Sequence, residues 1–139
     1  MSHEQSLADP AAPPLHRRLG PYLAVAAARM LLRLPPRRLR TALTVLRRGA
    51  PPADYDRALR ARQTVIAVST RCSGQYCLQR SVATALLCRL HGSWPTWKTG
   101  VRTSPTAAHA WVEAEGRPVG EPHDTAAYRA ILTVTPAPR

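Results

Sequence analysis

Residues 77–92 read CLQRSVATALLCRLHG, and the fold turns on this stretch. Leu78, Val82, Ala85 and Leu86 recur at i, i+4, i+7 and i+8, and Leu87 and Leu90 widen the stripe. The spacing predicts a helix from Cys77 to His91 with Gly92 as its closing residue. A helix apolar on most of its faces has to be covered on most of them, so this one is expected at the centre of the molecule. Its first residue is a cysteine. A thiol at a helix N-terminus feels the positive end of the helix dipole, which favours thiolate over thiol.

Downstream of this helix the pattern changes to short β-like runs at 98–103, 107–115, 117–121 and 130–135. Upstream it is helical. Leu23, Ala27, Met30, Leu31 and Leu34 predict a helix over 21–34, ended by Pro35 and Pro36. Leu39, Leu43 and Leu46 predict a second helix, closed by Gly49 and the Pro51–Pro52 pair. Asp54 can cap a third, with Ala58, Ala61, Val65 and Val68 on one face. Ser73 and Gly74 suit a turn before the central helix. Residues 1–15 are polar and proline-rich and read as a flexible tail. Helices first and strands second argue for an α+β fold, with an N-terminal helical layer and a central Cys-bearing helix packed on a small antiparallel sheet. The expected organisation is a tail over 1–15 and one domain over 16–139. Within that domain, 16–71 form a basic helical layer, and 72–139 the central helix and sheet.

The chain has 139 residues, of which 45% are hydrophobic and 5% aromatic, with no Phe, so the core has to be built from Ala, Leu and Val. The net charge is +12, from 20 Lys and Arg against 8 Asp and Glu, and Lys98 is the only lysine. Residues 1–71 carry 13 Arg against 4 acids, and 72–139 carry 7 cations against 4 acids, so the excess lies in the helical half. Three cysteines, an odd number, argue against a secreted disulfide framework and for reduced thiols in a cytoplasm. No apolar run reaches the roughly 18 residues that span a bilayer. The short apolar run 23–28 after Arg17 and Arg18 is cut off by Arg29 and Arg33, unlike a signal peptide.

Three residues of the second half fit one chemistry. Cys77 has the position of an activated nucleophile. On the strand 107–115, His109, Trp111 and Glu113 share one face, while Ala108, Ala110, Val112 and Ala114 share the other, which is expected against the central helix. A three-residue loop Ala114-Glu115-Gly116 with Gly116 left-handed would pair Glu113 with Arg117 and set Glu121 directly opposite His109. A two-residue loop at Glu115-Gly116 would pair 109 with 122 and send Glu121 to the wrong face. The glycine position favours the first register. A carboxylate there can fix the imidazole tautomer and stabilise imidazolium, completing a Cys77–His109–Glu121 triad. Gln75 or the Cys77 backbone N–H can serve an oxyanion hole. Cys88 reads as packing and Cys72 as a surface thiol. A zinc site from Cys72, Cys77, Cys88 and His91 matches no common spacing, and neither metal nor cofactor is expected. Of Trp94, Trp97 and Trp111, packing is the expected role for at least two.

CLQRSVATALLCRLHG (77–92), WPTWKTGVRTSP (94–105), AHAWVEAEGRPVGEP (108–122) and LRTALTVLRRGAPPADYDRALRAR (39–62) together resemble the lasso-peptide leader peptidases. These are the stand-alone protease half of the lasso biosynthetic B protein, within the transglutaminase-like, papain-like cysteine proteases. The resemblance covers about residues 20–135. It implies a cysteine endopeptidase that removes the leader from a ribosomally made lasso precursor, commonly after a leader whose penultimate residue is Thr. It implies three partners: the precursor leader, a separate leader-binding recognition-element protein and an ATP-dependent lasso cyclase. The family's Cys falls on Cys77, its His on His109, and its acid, usually Asp, on Glu121. Glu is one methylene longer and Asp124 lies close by; Glu121 is favoured over Asp124.

Two other classes compete. A basic adaptor could dock precursor and cyclase without catalysis. A nucleic-acid-binding module would use the +12 charge, but no helix-turn-helix or RNA-binding motif appears and aromatics do not alternate with arginines, so no nucleic acid is expected. The basic helical layer would also suit peripheral contact with an anionic membrane surface.

Overall fold

The computed structural model describes residues 15–69 and 76–138, with side chains from residue 19 onward. The expectations for 1–14, for Cys72, for the Ser73-Gly74 turn and for Gln75 lie outside them. Four helices precede a four-stranded antiparallel sheet: α1 (Leu15–Leu31), α2 (Pro36–Leu46), α3 (Tyr55–Val68), α4 (Cys77–Leu90), then β1 (Thr96–Arg102), β2 (Ala107–Ala114), β3 (Arg117–Pro118) and β4 (Arg129–Val134). A 3-10 helix, His123–Ala127, which the sequence pattern did not suggest, joins β3 to β4. The sheet order is β3-β2-β1-β4. The chain is α+β.

α4 occupies the centre. Gln79 and every residue from Ser81 to Cys88 are buried. α1 and α3 pack on one side of it, β2 and β1 on the other. Small residues at Ser81, Ala83, Thr84 and Ala85 let these neighbours approach. Ser81 and Thr84 turn their hydroxyls back onto the carbonyls of Leu78 and Arg80, and Ser81 Oγ also accepts the buried Trp97 indole N–H at 3.0 Å. All three tryptophans are buried, and the rest of the core is almost wholly Ala, Leu and Val, as a chain without Phe requires.

α1 departs from its expected limits. It begins at Leu15, inside the segment read as a tail, and ends at Leu31. Pro21 lies within it without stopping it, because Ala24, Val25 and Ala28 beyond it are buried and hold the helix in place. At the other end Pro35 and Pro36 remove two N–H donors and disfavour helical geometry at Leu34. The chain therefore unwinds a turn early, through Arg33 N–H to Met30 O and Leu34 N–H to Leu31 O. Pro36 then opens α2, where its missing N–H costs nothing. On α2, Leu39 and Leu43 are buried while Leu46 is 39% exposed. α3 has the expected cap: the Asp54 carboxylate accepts the Arg57 N–H at 2.7 Å. α4 ends with Gly92 at φ +91°, the left-handed closing residue.

The β2–β3 turn corrects the register derived from sequence. Ala114 pairs with Arg117 and Glu113 with Pro118, and Val119 N–H reaches Val112 O. The loop is thus the two-residue Glu115-Gly116, with φ of +54° and +75°. Positive φ at both central residues is the turn that matches strand twist. A glutamate is an uncommon occupant of that first position. Here its carboxylate accepts the Tyr55 N–H at 2.6 Å, at the start of α3. That bond satisfies one of the unpaired N–H groups of the helix end and places an anion at the positive end of its dipole.

Candidate active site

In this register Glu121 should face away from His109, yet the two side chains meet. The reason is that β3 is only two residues long. Gly120, at φ +65°, breaks the strand and swings the chain back. The left-handed conformation favours glycine, and a Cβ there would sit 3.0 to 3.2 Å from Arg62 Nη1 and Cδ and Leu59 Cδ1, which would have to shift slightly to admit it. The turn is anchored further by the Tyr55 hydroxyl, 3.3 Å from the Gly120 N–H. Glu121 Oε1 thereby lies 2.5 Å from His109 Nε2, and its side chain is only 3% exposed.

With Nε2 taken by Glu121, Nδ1 is the ring nitrogen left for the thiol. Cys77, at the first turn of α4, interacts with the His109 ring and with the Ala110 backbone. The pairing shows in the acidities. The hydrogen bond with His109 is the largest influence on Cys77; with the histidine's charge and that of Arg80 it outweighs burial and lowers the thiol pKa. His109 is raised to about 9, first by the hydrogen bond with Cys77, then by that with Glu121. Burial is the largest single influence on Glu121 and raises it, but His109, Arg62 and Arg80 together bring it below the ordinary carboxylate value. The three groups favour thiolate, imidazolium and carboxylate together.

The imidazole is also fixed sterically. Trp111 stacks on it at 5.6 Å and 14°, and Tyr128 tilts against it at 5.4 Å. Trp111 is held in turn by its N–H to Glu113 Oε2 at 2.9 Å, and Glu113 by Lys98 at 3.1 Å. The alternation along β2 thus works as expected in one respect, since His109, Trp111 and Glu113 form one connected set. Trp111 is itself covered. On the opposite face Ala110, Val112 and Ala114 are buried, while Ala108 is exposed.

Asp124 is placed elsewhere. It sits in the 3-10 helix, 60% exposed, paired with Arg102 at 3.3 Å. Cys88 is buried with its pKa pushed up to about 12, chiefly by desolvation. Two residues of the candidate site escape sequence reasoning. Arg62 of α3 lies 3.4 Å from Glu121 Oε2 and is itself mostly buried. It comes from the helical layer, so that layer contributes directly to the site. No local signal marks it among 19 arginines. Gly120 has a signal, a glycine next to the candidate acid, but the β-like run 117–121 places it inside a strand.

A thiol held at a helix N-terminus against an imidazole is what nucleophilic acyl chemistry requires: a sulfur that attacks and a base that carries its proton. The family model of the transglutaminase-like superfamily matches residues 22–133, and the chain belongs to that superfamily. Its general chemistry is that of cysteine proteases and transglutaminases. No curated protein and no solved structure matches the chain significantly. Among the described residues no helix is long and apolar enough to cross a membrane.

Proposed function

We propose that this protein is a cysteine endopeptidase that removes the leader from a ribosomally synthesised lasso precursor. The observation that carries the peptidase reading is the contiguous run Cys77–His109–Glu121 at the start of α4. The lasso assignment rests on the sequence blocks at 39–62, 77–92, 94–105 and 108–122. Cys77 thiolate attacks the scissile carbonyl carbon. The tetrahedral oxyanion collapses as the C–N bond breaks, and the leaving amine takes the proton from His109. Water then attacks the thioester, His109 takes its proton, and the leader carboxylate leaves with Cys77 restored. Glu121 holds the ring and balances its charge throughout. The Cys77 backbone N–H, at the helix start, is the donor proposed for the oxyanion.

The same reading makes the protein cytoplasmic and gives it the recognition-element protein and the ATP-dependent cyclase as partners. The 15–49 segment supports docking there: it holds nine arginines and no acid. The test is mass spectrometry of the precursor incubated with the protein and the recognition-element protein. Wild type should release leader and core; Cys77→Ala should release neither while still unfolding in one cooperative thermal transition. Cleavage by Cys77→Ala would overturn the assignment, and association without cleavage by wild type would favour the adaptor.

A further inference from the structure

We propose that the groove between α1 and the C-terminal ends of α2 and α4 is a docking site for an amphipathic helix of a partner protein, with leucine-type residues along its apolar face and acidic residues beside them. The inference rests on the proposed docking by the basic helical layer and adds the face used and the partner's chemistry; it does not depend on catalysis at Cys77. α1 is apolar on two faces. Ala24, Val25 and Ala28 are buried in the core. Leu19, Leu23, Ala27 and Met30, at i, i+4, i+8 and i+11, line up on another face and stay exposed, Leu23 at 59% and Met30 at 60%. A helix apolar on two faces is ordinarily covered on both. Beside the second face, Leu46 at the end of α2 and Leu90 at the end of α4, itself 57% exposed, complete a groove of about 520 Å³.

Shape and charge argue for the occupant. The groove follows α1 for two turns, about 10 Å from Leu23 to Met30. Its concave form takes the ridge of another helix, with anchors at i, i+3 or i+4 and i+7. A flat bilayer surface does not fill a hollow of this shape. Charge then selects among helices. No Asp or Glu lines the groove, and Arg89 stands in it, its guanidinium held by Nε to Leu46 O at 2.8 Å and by Nη2 to Arg48 O at 3.1 Å. The segment 15–49, which supplies α1 and α2, carries nine arginines and no acid. Acidic residues on the partner meet this charge, whereas a second copy of this chain brings nine arginines of its own and is repelled. Cys77 and Leu90 stand at opposite ends of α4, about 20 Å apart, so an occupant here leaves the surroundings of Cys77 open.

Two fluorescently labelled helical peptides test this on the full chain by anisotropy. Both carry Leu at i, i+4, i+7 and i+11; one has glutamates beside them, the other lysines. The glutamate peptide should bind about tenfold more tightly than the lysine peptide, by a margin that narrows at high salt. Leu23→Glu combined with Met30→Glu should weaken it by about 10- to 100-fold. Leu90→Glu, across the groove, should weaken it as well, while Gln63→Glu, the same kind of charge change at an exposed position of α3, should not. Cys77→Ala should bind it as wild type does. Binding of neither peptide, equal binding of both, or binding that the groove variants leave unchanged overturns the proposal. So does attachment to phosphatidylcholine–phosphatidylglycerol vesicles, or self-association in sedimentation, that the groove variants abolish while neither peptide binds. Glutamate-peptide binding lost in the groove variants, with no association between wild type and the recognition-element protein, upholds the groove and overturns that protein's place in the proposed function instead.

Discussion

Replacing Glu121 by Gln keeps the volume and one hydrogen-bonding oxygen next to His109 but removes the charge. The imidazolium is raised to about 9 from 6.5, with Cys77 the largest cause and Glu121 the second. A contacting opposite charge is worth about 1–3 pKa units. Because Cys77 stays, the low end applies, and the ring should titrate about one unit lower in the variant. The sign follows from linkage. A raised pKa contributes stability that is complete below the unfolded value of 6.5 and is lost as pH rises through about 9. In Glu121→Gln that loss begins at lower pH. Turnover should fall about 10- to 1000-fold, less than on loss of the nucleophile, since the ring remains stacked on Trp111. The assay is an NMR titration of the His109 ring proton, with denaturant unfolding from pH 5 to 10 and kcat/KM beside it. A ring midpoint that is unchanged or raised in Glu121→Gln would refute the coupling.

Arg62→Met should let the Glu121 carboxyl titrate at higher pH. Stability that wild type keeps until pH falls through the depressed Glu121 value should then be lost sooner, read as an acid-unfolding midpoint moved upward. Gly120→Ala should cost about 1–2 kcal/mol from the left-handed backbone alone, measured by urea unfolding, and more if Arg62 cannot yield. It should also lower the His109 midpoint, because the turn that delivers Glu121 is displaced. Iodoacetamide at neutral pH should label Cys77 and leave Cys88 unmodified until urea is added, as mass spectrometry of the digest would show.

The central helix, its closing Gly92, the Asp54 cap and the α+β order were legible because they rest on local physics: apolar periodicity, unpaired helix-end groups and left-handed glycine. Cys77 and His109 were legible for the same reason, since period alone fixes what opens a helix and what shares a strand face. Glu121 is reached from sequence by two routes, the family resemblance over 108–122 and a hairpin register that the molecule does not use. Local turn chemistry favoured a three-residue loop with only Gly116 left-handed. Tertiary structure put Glu115 there as well, because its carboxylate is bound 60 residues away to the Tyr55 N–H. The resulting slip should have turned Glu121 outward, and Gly120, packed against Arg62 of α3, turned it back. Arg62 and the Gly120 turn both depend on which helix lies against which strand. No spacing within a segment encodes that; it is decided only when α3 and the α1–α2 connection close on α4 and the sheet.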